Sequence, residues 1–350
     1  MLPVESPGLA AARRKFAAVG APDDLAEELV SCVLPLRVVR ALSDATIAAS
    51  ARGPAALHQW ATTQGLDLRE LAREDVEAWL SHRYLELRED AEARSSKLSG
   101  VRSYYEWRHR SGLGPNIAEG VPLPKRPRHV PRVYSRRQLN AIFAACDRST
   151  LQGVRDYAVL AFALATGCRR MELAALRLAD LDIRSERRAA AHLRGKGRRA
   201  RVVPFAGPAV RALSAWLAMR EQVPNADPEA VFLGLRPAPG RPLQARGLDG
   251  IVRRAIRLAG VQVSPGMALH SLRATFATNA LYSGVPIHEL RVLLGHSSLE
   301  TTSKYLAASM DGRTKPPLPD KLVGELLGER PIDLPLWARR RLQGADVDPD

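Results

Sequence analysis

Between Gly112 and Ser135 the chain reads GLGPNIAEGVPLPKRPRHVPRVYS, which contains five prolines. Each proline fixes its own φ and removes a backbone donor, so the stretch continues neither a helix interior nor a central strand. It divides the 350 residues into two parts, each of which must bury its own core. The stretch also carries Lys125, Arg126, Arg128 and Arg132. Those charges suit a strap along a phosphate backbone, and a solvated hinge is the competing reading.

Ahead of this linker, from Ser43 to about Ser111, the apolar periodicity is helical, with breaks at Gly53-Pro54, at Gly65 and in the polar stretch Asp90 to Ser96. The pattern predicts four short helices. Leu57, Trp60 and Ala61 form one apolar stripe and Leu71, Val76 and Leu80 another, while Leu98, Val101, Tyr105 and Arg108 share a face of the last. Trp60, Trp79 and Trp107 are read as core. Arg94, Lys97, Arg102, Arg108 and Arg110 are candidate phosphate contacts, against the alternative of a solvated helix face. Residues 1 to 42 contain a helix around Asp24 to Cys32 and no evident chemistry.

Past the linker, helices are expected at Ser135 to Cys146 and Gly153 to Ala165. Gly167 then breaks the pattern, and Arg169 and Glu172 share the face of a new helical turn. Ala189 to Leu193 and Ala200 to Phe205 read as strands joined by Arg194-Gly195-Lys196-Gly197-Arg198, a basic hairpin. Helices resume at Pro208 to Val223, Leu248 to Ala259, Leu269 to Tyr282 and Pro286 to Leu294. His270 and Arg273, three apart, can face one ligand. In LGHSSLETTSKY, Leu294 to Tyr305, Gly295 ends one helix, and Ser297 with Glu300 has capping-box spacing for the next. That helix carries Tyr305 about two turns in.

Composition narrows the class of partner. Against 37 acidic residues stand 52 basic ones, a net charge of +15. Such an excess points to a polyanion, most economically nucleic acid, since counterion release rewards clustered Arg and Lys. Cys32, Cys146 and Cys168 are widely spaced and show no metal-ligand pattern. With neither a run of 18 apolar residues nor a signal-peptide order at the start, the expectation is a cytoplasmic protein.

Four segments, TGCRRMEL (Thr166 to Leu173), GKGRRARVVP (Gly195 to Pro204), HSLRATFAT (His270 to Thr278) and LGHSSLETTSKY, occur in this order over about 140 residues. Together they resemble the tyrosine recombinase (phage integrase) family of site-specific DNA recombinases, in its XerC/XerD-like form. The resemblance implies a mainly α fold with a small antiparallel β-sheet, arranged as a two-domain C-shaped DNA clamp. Its domains are a helical core DNA-binding domain (43–112), the basic linker (113–134) and the catalytic domain (135–312), with an extension of open role (1–42) and a tail carrying a subunit-exchange helix (313–350).

The resemblance also implies roles. Tyr305 attacks the scissile phosphate to give a 3′-phosphotyrosyl link, Arg169, Arg273 and His296 hold the phosphate oxygens, Lys196 protonates the leaving 5′-oxygen, and His270 assists proton transfer at the phenol. Glu172 supports Arg169. A phenol's ordinary pKa of about 10 makes such help useful. DNA-contact candidates are Arg94, Lys97, Arg102, Lys125, Arg126, Arg128, Arg198 and Arg199. The expected partners are a double-stranded recombination site and a homo-tetramer on two duplexes, with a second recombinase or an accessory protein as a variant. No cofactor, ATP or metal is implied. Ala274 stands where many relatives carry a histidine, and Ile117 replaces a proline that often follows Asn116. A type IB topoisomerase and a non-catalytic DNA-binding protein are the alternatives the sequence leaves open.

Overall fold

A cap, a helix crossing and a buried ion pair organise the first part of the chain. The computed structural model describes residues 6–38, 44–124, 131–186, 188–195 and 200–310. Two units divide it, residues 1–128 and 129–350. The first holds α1 (Pro7–Ala18), α2 (Asp23–Val38), α3 (Asp44–Ser50), α4 (Arg52–Thr63), α5 (Arg73–Leu85) and α6 (Ala91–Arg110). Asp90 caps α6, its carboxylate accepting from the Ala93 backbone N–H at 2.7 Å. The polar stretch Asp90 to Ser96 is therefore not a break but the cap and first turns of a 20-residue helix. Gly53 and Pro54 likewise fall inside α4, in its first turn, where a missing N–H removes no helical hydrogen bond.

Gly53 lets α4 touch the backbone of α6, and Gly100 lets α6 touch the end of α3. A Cβ at Gly53 would collide with the Lys97 carbonyl, and one at Gly100 with the Ser50 carbonyl. Around this crossing Phe16, Leu29, Ile47, Leu57, Trp79, Val101 and Tyr104 form one core, in which α1 and α2 take part along with the later helices. Glu28 of α2 accepts from the Tyr104 hydroxyl at 2.8 Å and from Arg69 Nε at 2.9 Å, and it pairs with Arg108. Arg108 is thus a buried residue that also donates to the Leu113 carbonyl at 2.7 Å, and it is not presented to a phosphate. It shares the inner face of α6 with Leu98, Val101 and Tyr105. Trp79 is fully buried, with Trp60 and Trp107 packed against the same core. Ala118 and Val121 join it too, so the first half of the proline-rich stretch belongs to this unit.

The second unit contains α7 (Arg136–Ala144), α8 (Leu151–Thr166), α9 (Arg170–Ala174), a 3₁₀ turn (Leu178–Asp180), β1 (Leu181–Ser185), β2 (Arg188–Arg194), β3 (Ala200–Phe205), α10 (Pro208–Arg220), α11 (Ala245–Ala259), α12 (Leu269–Tyr282), α13 (Ile287–Leu294) and α14 (Leu299–Met310). Tyr134 anchors its start, donating from its backbone N–H to Thr275 Oγ1 at 2.9 Å. From Gly153 to Leu164 every residue of α8 is buried, which makes this helix the axis of the core. The two charges on it, Arg155 and Asp156, satisfy each other at 2.7 Å, and Arg254 of α11 adds a second partner to Asp156.

The strands form one antiparallel sheet, ordered β1-β2-β3, with Leu181 opposite Ala191 and Ala191 opposite Val203. Ala189, Ala191, Leu193, Val203 and Phe205 are the buried face. β1 was not expected as a strand, although Leu181-Asp182-Ile183-Arg184-Ser185 alternates as an edge strand should. Among the described residues no helix is long and apolar enough to cross a membrane.

Gly100→Ala should overpack the contact of α6 with the end of α3 and cost about 1–3 kcal/mol, read as a lower urea midpoint for the first unit, while the fold of the second unit is retained.

Candidate active site

The end of α13 is where the site is assembled. Gly295 terminates it in the left-handed region, φ 63°. The last carbonyls of a helix have no donor within it, and they form the negative end of its dipole. Here three consecutive ones are each capped by an arginine from a different element. Arg201 Nε of β3 donates to Leu293 O, Arg273 Nη2 of α12 to Leu294 O, and Arg169 Nη2, just before α9, to Gly295 O, all at 2.6 Å. Gly295 is needed twice over, because a Cβ there would also lie 3.1 Å from Arg201 Nη1 and 3.4 Å from Arg169 Nη1.

Behind the arginines sits one carboxylate. Glu172, almost wholly buried in α9, accepts from Arg201 through both of its oxygens, at 2.7 and 2.8 Å. It also accepts from Arg169 Nη1 at 2.8 Å and from the Arg169 backbone N–H at 2.7 Å. Burial alone would raise its pKa, but the hydrogen bonds from Arg201 and from the Arg169 backbone outweigh it and hold the acid at about 2. Three guanidinium charges against the single Glu172 carboxylate leave two positive charges uncompensated in one place. That surplus is the means to bind an oxyanion.

The remaining groups line up on it. Arg273 is 2% exposed and donates through Nη1 to Gly167 O at 2.6 Å. Burial first, then the charge of Arg169, lowers its pKa to about 10, which still leaves a cation at neutral pH. His296 meets Arg273 Nη2 through Nε2 at 2.9 Å and Thr302 Oγ1 through Nδ1 at 2.8 Å. Burial, then the charges of Arg273 and Arg169, pushes His296 down to about 4, so the ring is neutral. His270, in the first turn of α12, keeps an exposed face. Partial desolvation, then Arg273, Arg169 and Arg170, lowers its pKa as well. Tyr305 is 6% exposed in α14, packed with Ala277, Leu290 and Leu294, and its ring stacks on His296 with centroids 6.1 Å apart and planes 13° from parallel.

The expected cap of that helix shifts by one residue. Ser298, not Ser297, precedes α14, and its Oγ accepts from the Thr301 N–H at 3.4 Å.

The structure therefore gathers Arg169, Glu172, His270, Arg273, His296 and Tyr305. Lys196, Arg198 and Arg199 lie outside the described residues, as do Lys125, Arg126 and Arg128. In the first unit Arg94 lies 4.6 Å over the Tyr84 ring, Lys97 pairs with Glu89, and Arg102 donates to the Val121 carbonyl. Two residues of the site were not singled out from sequence, Arg201 and Thr302. Arg201 shares the inward face of β3 with Val203 and Phe205, so strand alternation held the signal.

The Phage integrase family model matches residues 132–311. The model of the phage integrase N-terminal SAM-like domain matches residues 34–112. The chain belongs to the phage integrase family, the tyrosine-type site-specific recombinases. Its relative tyrosine recombinase XerC of Pelobacter propionicus is 33% identical over 300 residues, 82% of this chain and 92% of that one. Tyrosine recombinase XerC 2 of Ralstonia nicotianae is 38% identical over 221 residues, 61% of this chain and 60% of that relative's length. Among solved structures, the XerH site-specific recombinase bound to palindromic difH substrate, a post-cleavage complex, superposes with a TM-score of 0.65 at 17% identity. The match covers 88% of this chain and 95% of that one and is a likeness of fold. Family membership favours the recombinase over the topoisomerase reading.

Glu172 has a depressed pKa in the folded recombinase, so its contribution to stability is present above its unfolded value near 4.5 and is lost as pH falls toward about 2. Arg201→Ala, which leaves Glu172 only its Arg169 contacts, should cost about 3 kcal/mol at pH 7. In urea unfolding at a series of pH values, the gap between wild type and variant should narrow through that acid window; a gap independent of pH would assign the loss to packing.

Proposed function

We propose that this recombinase cleaves and rejoins DNA strands through a 3′-phosphotyrosyl intermediate, and that the observation carrying this reading is the convergence of Arg169, Arg201 and Arg273 on the α13 terminus beside Tyr305. The Tyr305 oxygen attacks the scissile phosphorus in line. A Tyr–O–P bond forms, the P–O5′ bond breaks, and the 5′-oxygen leaves with a proton. Attack by the 5′-hydroxyl of another strand reverses the step and completes exchange. One phosphodiester is traded for another, so the reaction needs no ATP.

Arg169 and Arg273 grip the non-bridging oxygens, where negative charge grows in the transition state. Because they are already fixed on backbone carbonyls and Glu172, little reorganisation is needed as that charge develops. Lys196, in the segment joining β2 to β3, is the donor to the departing 5′-oxygen. His270, neutral at pH 7, takes the proton from the phenol. Two duplexes exchanging both strands require four cleavages, one tyrosine each, so the working assembly is a tetramer on double-stranded DNA, in the cytoplasm. Integration, excision and resolution are uses of this same chemistry. The first unit, with the basic linker, supplies the second grip on the duplex.

Incubating the protein with nicked duplex from the DNA flanking its gene and running a denaturing gel tests the reading. Wild type should give a protein–DNA adduct, Tyr305→Phe none. Arg273→Ala should form it about 10²–10³ times more slowly. An adduct that persists in Tyr305→Phe would move the nucleophile elsewhere.

A further inference from the structure

His296 has two polar neighbours of different kinds, and together they determine where its proton sits. A guanidinium has only N–H donors, so Arg273 Nη2, at 2.9 Å, must donate to Nε2. Nε2 then offers its lone pair, and the proton of the neutral ring lies on Nδ1. Nδ1–H in turn donates to Thr302 Oγ1 at 2.8 Å, and Thr302 is fully buried, so water does not compete for that hydroxyl. In this tautomer the ring has no N–H free for a phosphate oxygen. The role that the family resemblance implies for His296, a donor to a phosphate oxygen, requires the opposite one, with Nε2 protonated.

We propose that Thr302 is a positioning residue that lets His296 change tautomer when a phosphate enters the site. A hydroxyl can accept or donate. It accepts from Nδ1–H while an Arg273 N–H holds Nε2, and it donates to a bare Nδ1 once that Arg273 N–H is taken by the phosphate and Nε2–H turns to a phosphate oxygen. One proton leaves Nδ1 and one arrives at Nε2, both exchanged with water, so the charge of the ring is unchanged. The inference rests on the reading of the site as a phosphotyrosyl centre, yet its first readout does not depend on catalysis.

That readout is nitrogen NMR of the full chain labelled with ¹⁵N-histidine at pH 7, the His296 signals being assigned by their loss in His296→Asn. In the free protein Nδ1 should carry the proton; an Nε2-protonated His296 would overturn the proposal. With inorganic phosphate added until the spectrum stops changing, the Nε2-protonated form should replace it, and a ring that keeps its proton on Nδ1 would overturn the switch. Adduct formation supplies the second arm. Thr302→Val, similar in shape but without the hydroxyl, should slow it by about 10- to 100-fold, Thr302→Ser should recover most of the rate, and Thr302→Val in a His296→Phe background should add nothing. A full additional loss in that background would assign Thr302 to packing alone. If wild type forms no adduct, the phosphotyrosyl reading fails while the spectra still decide the tautomer.

Discussion

Three arginines on the carbonyls of Leu293, Leu294 and Gly295, where α13 ends, tie β3, α12 and α9 of the second unit to one point. The elements that contribute them, β3, α12 and the entry to α9, are far apart in sequence and have no reason of their own to meet. The negative end of a short helix supplies that reason, since its last turn needs donors and the guanidinium offers several in one plane. Each arginine spends part of its donor set on a carbonyl and is thereby held with the rest aimed at the same space. An anion site built in this way is rigid without any ligand present.

Such a cluster of like charges would repel itself apart without Glu172. The carboxylate is placed where it accepts from two of the three arginines and from the backbone N–H that opens α9, so one buried group neutralises, orients and caps at once. Its own cost of burial is offset by those bonds, which is why its acid form is suppressed at neutral pH. A second carboxylate would have cancelled the surplus charge that the site exists to provide. The balance of three cations and one anion reconciles a folded state with an oxyanion site.

Much of this was legible in the sequence because the relevant signals are local. Gly167 and Gly295 end helices, Arg169 caps the short helix that carries Glu172, and His270 and Arg273 lie one turn apart, so neighbours along the chain already indicated a common target. What stayed hidden depends on contacts between distant segments. Arg201 looked like one more charge in GKGRRARVVP until its strand partner and the α13 terminus were in place. Arg108 looked like a surface cation until Glu28 arrived from α2. Polar residues at Asp90 to Ser96 imitated a loop because a helix cap and an exposed helix face have the same composition as one.

Position 274 shows how a departure from the family pattern becomes physical. The resemblance led to a histidine there in many relatives, and this chain has alanine, 2% exposed, in the small apolar cluster that holds Phe276, Ala277, Leu290, Leu294 and Tyr305. An imidazole at this depth would need a hydrogen-bond partner and more volume than a methyl group occupies. With alanine, the contacts of Tyr305 within this cluster are apolar, and His296 is the imidazole that meets Arg273. In the proposed mechanism the proton work at Tyr305 then falls to His270, on the exposed side of α12, and the proposed tuning of the phosphate contact falls to His296 and the Thr302 hydroxyl beside it.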